Sequence, residues 1–240
     1  MTPPPAEPPG PAPRLRKKRV LTLGRIGAAL VPAVRAVEST VDDFADWWDE
    51  SNDSTLAEDG PLWVVLGDSA SQGIGATHPS KGYVPRVLDR LRDHSGEPWR
   101  VLNLSMTGAK MDDVVDVQLP EVHDLGVSPA LITCLVGAND LLVPRPVAIL
   151  RRRARRLVAA LPDATVAGRA GSNVFSRRPR AVNRELERAA EQRGFVLFDP
   201  WKWPTAKGAL ARDRFHPSDL GYAFVADQVW DAVITSGAAG

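Results

Sequence analysis

One cysteine in 240 residues excludes an internal disulfide, and no redox compartment follows from it. That residue, Cys134, lies inside the apolar run "ALITCLVG", where it reads as a buried, inert thiol. An excess of one charge is also missing. With 30 Lys and Arg against 29 Asp and Glu, the chain has no global attraction to nucleic acid or to an anionic surface. No run approaches the roughly 20 apolar residues of a spanning helix, because "VLTLGRIGAALVPAV", Val20 to Val34, is short and broken by Arg25. His-Glu-x-x-His and paired-cysteine spacings are absent, so neither a metal nor another cofactor is expected. The stretch "GDSASQGIGA", Gly67 to Ala76, has neither the Gly-Lys-Ser/Thr ending of a P-loop nor the spacing G-x-G-x-x-G. It also fails G-x-S-x-G, because Ser71 stands where the second glycine belongs.

What is present divides by composition into three parts. Residues 1–19 hold the proline-dominated "MTPPPAEPPGPAP" and the basic cluster "RLRKKR", read as a disordered tail. Residues 20–60 read as an amphipathic helical segment followed by the acidic linker "DESNDSTLAEDG". In that segment Val34, Val37, Val41, Phe44, Ala45 and Trp48 recur at helical spacing. A basic region before a short apolar one has two readings: a segment that packs on the domain or weakly touches a membrane surface through residues 14–34, or a secretory signal ending in "VRA" at Ala36. The expected location is the cytoplasm, with secretion or membrane association through residues 14–36 as the alternative.

From Pro61 short apolar runs alternate with helical patterns, the signature of a parallel sheet covered on both faces. The strands are expected at Leu62 to Leu66, Arg100 to Leu104, Ala130 to Val136, Thr165 to Ala167 and Phe195 to Phe198. Helices are expected in "YVPRVLDRLRDH" and "VAILRRRARRLVAAL", each with an apolar stripe, in "RAVNRELERAAEQRG", and in "HPSDLGYAFVADQVWDAVI", which has proline near its start. The arginines from Arg151 to Arg156 leave the stripe of their helix intact, so they read as a solvated face and not as a nucleic-acid patch.

In open α/β sheets ligands bind beyond the carboxyl ends of the strands, and in this chain those ends carry polar residues. Ser69 follows the first strand, Gly108 the second and Asn139 the third, while Asp213 and His216 precede the last helix. These are the parts needed for acyl transfer. A serine hydroxyl needs a base to take its proton. Imidazole, with an unperturbed pKa of about 6.5, is neutral yet basic near pH 7. A carboxylate must hold the ring in one tautomer, and spacing of three residues can put Asp213 and His216 on one side of a turn. The oxyanion then needs donors: the Ser69 and Gly108 backbone N–H groups and the Asn139 side-chain amide.

Four blocks, "GDS", "SMTGAK", "GAND" and "DRFHP", occur in that order, and over residues 62 to 235 the chain resembles the SGNH (GDSL-type) hydrolase superfamily. The resemblance implies a three-layer α/β/α sandwich with a flavodoxin-like, five-stranded parallel sheet over residues 61–236. It implies a catalytic Ser69, Asp213 and His216 and an oxyanion hole of Ser69, Gly108 and Asn139. Ala70 stands where leucine is usual, a departure that bears on family placement more than on chemistry. The expected activity is hydrolysis of a carboxylic ester, as an esterase, lipase-like enzyme or deacetylase. The substrate would be a small-molecule, lipid or glycan ester. The alternatives are acyl transfer, or a carbohydrate- or lipid-binding module without turnover.

Several residues have plainer readings. Ser71 reads as a turn residue, and Asp68 and Asp140 as carboxylates that tie neighbouring loops. His78 reads as a loop or rim residue, and His94 and His123 as surface positions. Trp201 and Trp203 are candidates for the substrate pocket and equally for a cover over the core edge.

Overall fold

The structure, a computed structural model, describes residues 32–171, 176–202 and 207–239. The proline-rich tail, the basic and apolar segment through residue 31, and Trp203 lie outside the described residues. Strands β1 (Leu62–Gly67), β2 (Arg100–Asn103), β3 (Leu131–Leu135), β4 (Val166–Gly168) and β5 (Val196–Phe198) form one sheet in the order β2-β1-β3-β4-β5. Every pairing is parallel. The strand boundaries fall within about one residue of the apolar runs that mark them, because a strand buried on both faces has little room for polar side chains.

Alternation along β1 divides the core. Trp63 and Val65 face one side, where Phe44, Trp48, Val87, Leu91, Val225 and Val229 cover them. Leu62, Val64 and Leu66 face the other, against Met111, Leu150, Leu157, Val182 and Leu186. Successive side chains on a strand point to opposite faces, so one strand serves two cores. The first layer of helices comprises α2 (Val41–Ala57), which follows the short α1 (Pro32–Glu38), together with α4 (Tyr83–Ser95) and α10 (Asp219–Ser236). The second contains α5 (Met111–Asp113), α8 (Val147–Ala160) and α9 (Arg177–Arg193). Val87 and Leu91 of α4 are fully buried, each contributing about 1.5–3 kcal/mol relative to exposure. The remaining helices are α3 (Ser69–Gln72), α6 (Leu119–Asp124) and α7 (Ala138–Leu142). Among the described residues no helix is long and apolar enough to cross a membrane.

Two segments differ from expectation. The acidic stretch expected as a linker continues α2 as far as Ala57. Within it Asn52 and Thr55 are buried and bond the backbone of β2, the edge strand. Acidic composition describes only the outer face of that helix. The second is the connection from β2 to β3, in which the apolar pattern predicts no helix. It forms α5, one π turn at Val114–Gln118, and α6. A π turn adds a residue to the helical repeat and interrupts the periodicity by which a helix is recognised.

The sheet order places the reversal of chain direction between β1 and β3, the point at which a doubly wound sheet opens a crevice. The connections after β1, β2 and β3 all leave from that edge.

Candidate active site

The turn after β1 depends on a glycine. Gly67 has φ +152°, and a Cβ there would lie 2.3 Å from the Leu135 carbonyl oxygen and 2.7 Å from Ser71 Oγ. Such contact is too close for any side chain, so the chain can leave the strand in this direction only with glycine. Asp68 then caps α3, its Oδ1 accepting from the Ala70 N–H at 3.1 Å. Ser69 is therefore the first residue of a short helix, held at the tip of the strand.

Three side chains from two distant stretches of chain meet there. Ser69 Oγ lies 2.9 Å from His216 Nε2, and His216 Nδ1 lies 2.6 Å from Asp213 Oδ2. Asp213 Oδ1 accepts from the backbone N–H groups of Phe215 and His216 at 3.0 and 3.1 Å. The carboxylate thus forms its own turn as well as meeting the ring. Burial pushes the Asp213 carboxyl up, but the His216 ring and the two N–H groups outweigh it and hold it below the usual carboxylate range. It is ionised when it accepts from Nδ1–H, which leaves Nε2 as the acceptor for the serine proton.

Gly75 fixes the approach from the opposite side. It has φ +100°, and a Cβ there would come within 2.6 Å of His216 Cβ and of the Pro217 oxygen. The sequence reading did not single it out, although the second glycine of "GIG" was a signal.

Gly108 lies in the loop after β2 with φ +81°. Asn139, in α7 after β3, donates from Nδ2 to the carbonyl of Ala109 at 3.0 Å and stands 3.5 Å from Asp68 Oδ2. Asn139 is thus adjacent both to the residue after Gly108 and to the residue before Ser69. Asp68 is buried. Burial raises its carboxyl to about 6, against the opposing effects of the Ala70 N–H and of His216.

An apolar cavity opens beside Ser69 and His216, with walls that include Leu135, Val136, Ala170, Trp201 and Phe215. Trp201 is therefore at the site. Arg169 also reaches this wall, and its guanidinium pairs with Glu187 at 2.5 Å.

The remaining residues take local roles. Ser71 Oγ shares a hydrogen bond with Tyr83 Oη at 2.8 Å. Asp140 is fully buried, accepting from the Met111 N–H at 2.9 Å and from Arg153 at 2.7 Å. Asp140 thus ties neighbouring segments as its plainer reading has it, whereas the Ser71 side chain reaches out of its turn to α4. His78 is exposed and caps a 3₁₀ turn through Ser80. His94 packs edge-on against Trp230, and the His123 side chain is exposed. The Cys134 thiol is buried, which pushes its pKa far up. The arginine face of α8 is less solvated than expected. Arg153 is largely buried between Asp112 and Asp140, and Arg156 pairs with Asp116.

Gln118 is a residue that the sequence reading missed. Its Oε1 accepts from the Gly67 N–H and its Nε2 donates to the Gly67 carbonyl, each at 2.8 Å. The π turn at Val114–Gln118 brings that amide beneath the serine turn. No spacing signal could have found it, because a single glutamine among apolar residues, in a connection where no helix is expected, gives no sign of its partner. Among the described residues no cluster of His, Cys, Asp or Glu could hold a metal ion.

A five-stranded parallel sheet covered on both faces, with this site at its carboxyl edge, defines an α/β/α protein of the SGNH hydrolase type. The chain belongs to the GDSL-like lipase/acylhydrolase family, which it matches over residues 65–224, and it is a carboxylic ester hydrolase by that membership. Among solved structures it is similar to TesA, at 22% identity and TM-score 0.62, covering 73% of this chain and 99% of that one. It is similar to the psychrotrophic esterase EstA from Pseudoalteromonas sp., inhibited by monoethylphosphonate, at 19% identity and TM-score 0.59, covering 72% and 97%. It also resembles a single-residue variant of Axe2, an acetyl xylan esterase from Geobacillus stearothermophilus, at 18% identity and TM-score 0.55, covering 72% and 94%. No curated protein sequence matches it.

Proposed function

We propose that this ester hydrolase works through an acyl-enzyme on Ser69. The observation that carries the reading is the continuous hydrogen-bonded relay from Ser69 Oγ to His216 Nε2 at 2.9 Å and from His216 Nδ1 to Asp213 at 2.6 Å. His216 accepts the Ser69 proton as the oxygen attacks the ester carbonyl, and the ionised Asp213 stabilises the imidazolium that forms. The tetrahedral oxyanion is received by the backbone N–H groups of Ser69 and Gly108 and by Asn139 Nδ2. His216 then returns the proton to the leaving alkoxide, and water, activated by the same ring, releases the acid.

The apolar walls beside Ser69, Trp201 among them, suit the acyl portion of an ester, since such pockets combine apolar surface with few polar groups. Small esters and glycan or lipid esters are the substrate class. The names of the similar structures, an acetyl xylan esterase among them, are in keeping with this.

Release of p-nitrophenol from acetyl and butyryl esters tests the reading. Wild-type enzyme should turn over, Ser69→Ala should not, and a fluorophosphonate should label the wild type alone. Equal rates for the two proteins would remove Ser69 from the reaction.

A further inference from the structure

Helix α2 lies before the region that defines the family, yet its buried face reaches both loops of the site. Asn52 is 3% exposed. Its Nδ2 donates to the Asn103 carbonyl and its Oδ1 accepts from the Asn103 N–H, both at 2.8 Å. β2 is an edge strand, and the Asn52 amide satisfies the last residue of that edge as a neighbouring strand would.

Asn103 passes this constraint on in two directions. Its Nδ2 donates to the Ser71 carbonyl at 2.9 Å, inside the serine turn. Its Oδ1 accepts from the Ser105 N–H at 3.1 Å and from Ser105 Oγ at 2.6 Å, at the start of the Gly108 loop. A second tie lies alongside. Trp48 Nε1 donates to the Gln72 carbonyl at 3.0 Å, while Gln72 Oε1 accepts from the Thr107 N–H at 3.0 Å and from Thr107 Oγ1 at 2.6 Å. Trp48, Asn52, Gln72, Asn103 and Ser105 are all buried, so water does not compete for these bonds, and each lost partner leaves an orphaned polar group.

We infer that Asn52 is a positioning residue for the oxyanion site. Through Asn103 it sets the Gly108 loop against the serine turn, and Trp48 reinforces that setting from the same helix. The inference rests on the proposed acyl-enzyme mechanism, because the geometry it protects is the spacing between Ser69 and Gly108. Donors that receive a developing charge act only when held in place beforehand, and a shift of about 1 Å can cost on the order of 100-fold in rate.

The helix also supplies a control. Thr55 is buried and donates from Oγ1 to the Val101 carbonyl at 2.8 Å. It braces the same edge two residues before Asn103, away from both loops. Asn52→Leu removes both bonds to Asn103, and Thr55→Val removes the one to Val101.

Steady-state hydrolysis of p-nitrophenyl acetate, the rate of inactivation by a fluorophosphonate and thermal denaturation should be measured on the full chain. Both variants should lose stability. Asn52→Leu should also lose roughly tenfold or more in kcat with KM within about twofold, and its inactivation rate should fall in parallel, while Thr55→Val keeps wild-type rates. A folded Asn52→Leu with wild-type kcat would overturn the inference and leave α2 as a cover for the edge strand. If Asn52→Leu does not fold, Asn52→Ser, too short to keep both bonds to Asn103, takes its place, with a lowered kcat expected and an unchanged one overturning the inference. A wild type that neither hydrolyses the ester nor reacts with the probe overturns the underlying mechanism as well.

Discussion

Replacing Asp68 by asparagine isolates the cost of keeping an ionised carboxylate beside Ser69. Asp68 is 3% exposed, and burial raises its carboxyl from 3.8 to about 6. That difference corresponds to about 3 kcal/mol between the protonated and ionised forms, at about 1.36 kcal/mol for each tenfold change in proton affinity. The folded-state value lies above the unfolded one, so the protonated group favours folding at low pH. This contribution is fully present below about pH 4 and is lost as pH rises through about 6. Above that range the wild type carries the whole ionisation cost and Asp68→Asn carries none. Asparagine retains an oxygen to accept from the Ala70 N–H and is as good a helix cap as aspartate. Its nitrogen would face Asn139 Nδ2 where a 3.5 Å contact now stands, and that buried donor, left without an acceptor, costs about 1–3 kcal/mol at every pH. Urea unfolding of both proteins between pH 4 and 8 should therefore give curves that diverge with pH. Between pH 4 and pH 8 the stability difference should move in favour of Asp68→Asn by up to about 3 kcal/mol. A stability difference that stays constant across this range would refute the assigned burial cost.

Two further outcomes follow from the same geometry. If Asn139 supplies the proposed oxyanion donor, Asn139→Ala should lose about 100- to 1000-fold in kcat on p-nitrophenyl acetate with little change in KM, and an unchanged kcat would remove it from that role. Arg153→Met should destabilise the protein by about 3–5 kcal/mol at pH 8, because it strands the fully buried Asp140. Burial already raises the Asp140 carboxyl despite its bonds to the Met111 N–H and to Arg153. The stranded group should therefore take up a proton as pH falls, and the loss measured by urea unfolding at pH 5 should be smaller.

The legible residues were those whose role is local or whose type is uncommon at its position. The strands announced themselves as short apolar runs, and Asp213 and His216 stood three residues apart beside a helix start. The arginines of α8 were read from the intact stripe of their helix, which reveals the buried side but not that Arg153 turns inward to meet Asp112 and Asp140. Asn52, Gln72 and Gln118 were invisible for a related reason. Hydrophobic periodicity reports where apolar groups lie, and a buried amide at such a position reads as surface until its partner is known.

The amino-acid sequence alone determined the strands, most of the long helices, the glycine at the end of β1 and the turn joining Asp213 to His216. Each depends on neighbours within a few residues, through backbone sterics, alternation or a short hydrogen bond. Only the tertiary structure decided that Ser69 meets His216, 147 residues away, that Asn52 holds Asn103 across 51 residues, and that Asp68 is buried deeply enough to hold its proton to about pH 6. Those outcomes follow from the register of parallel strands and from the water that packing removes, which no local stretch of chain can set for itself.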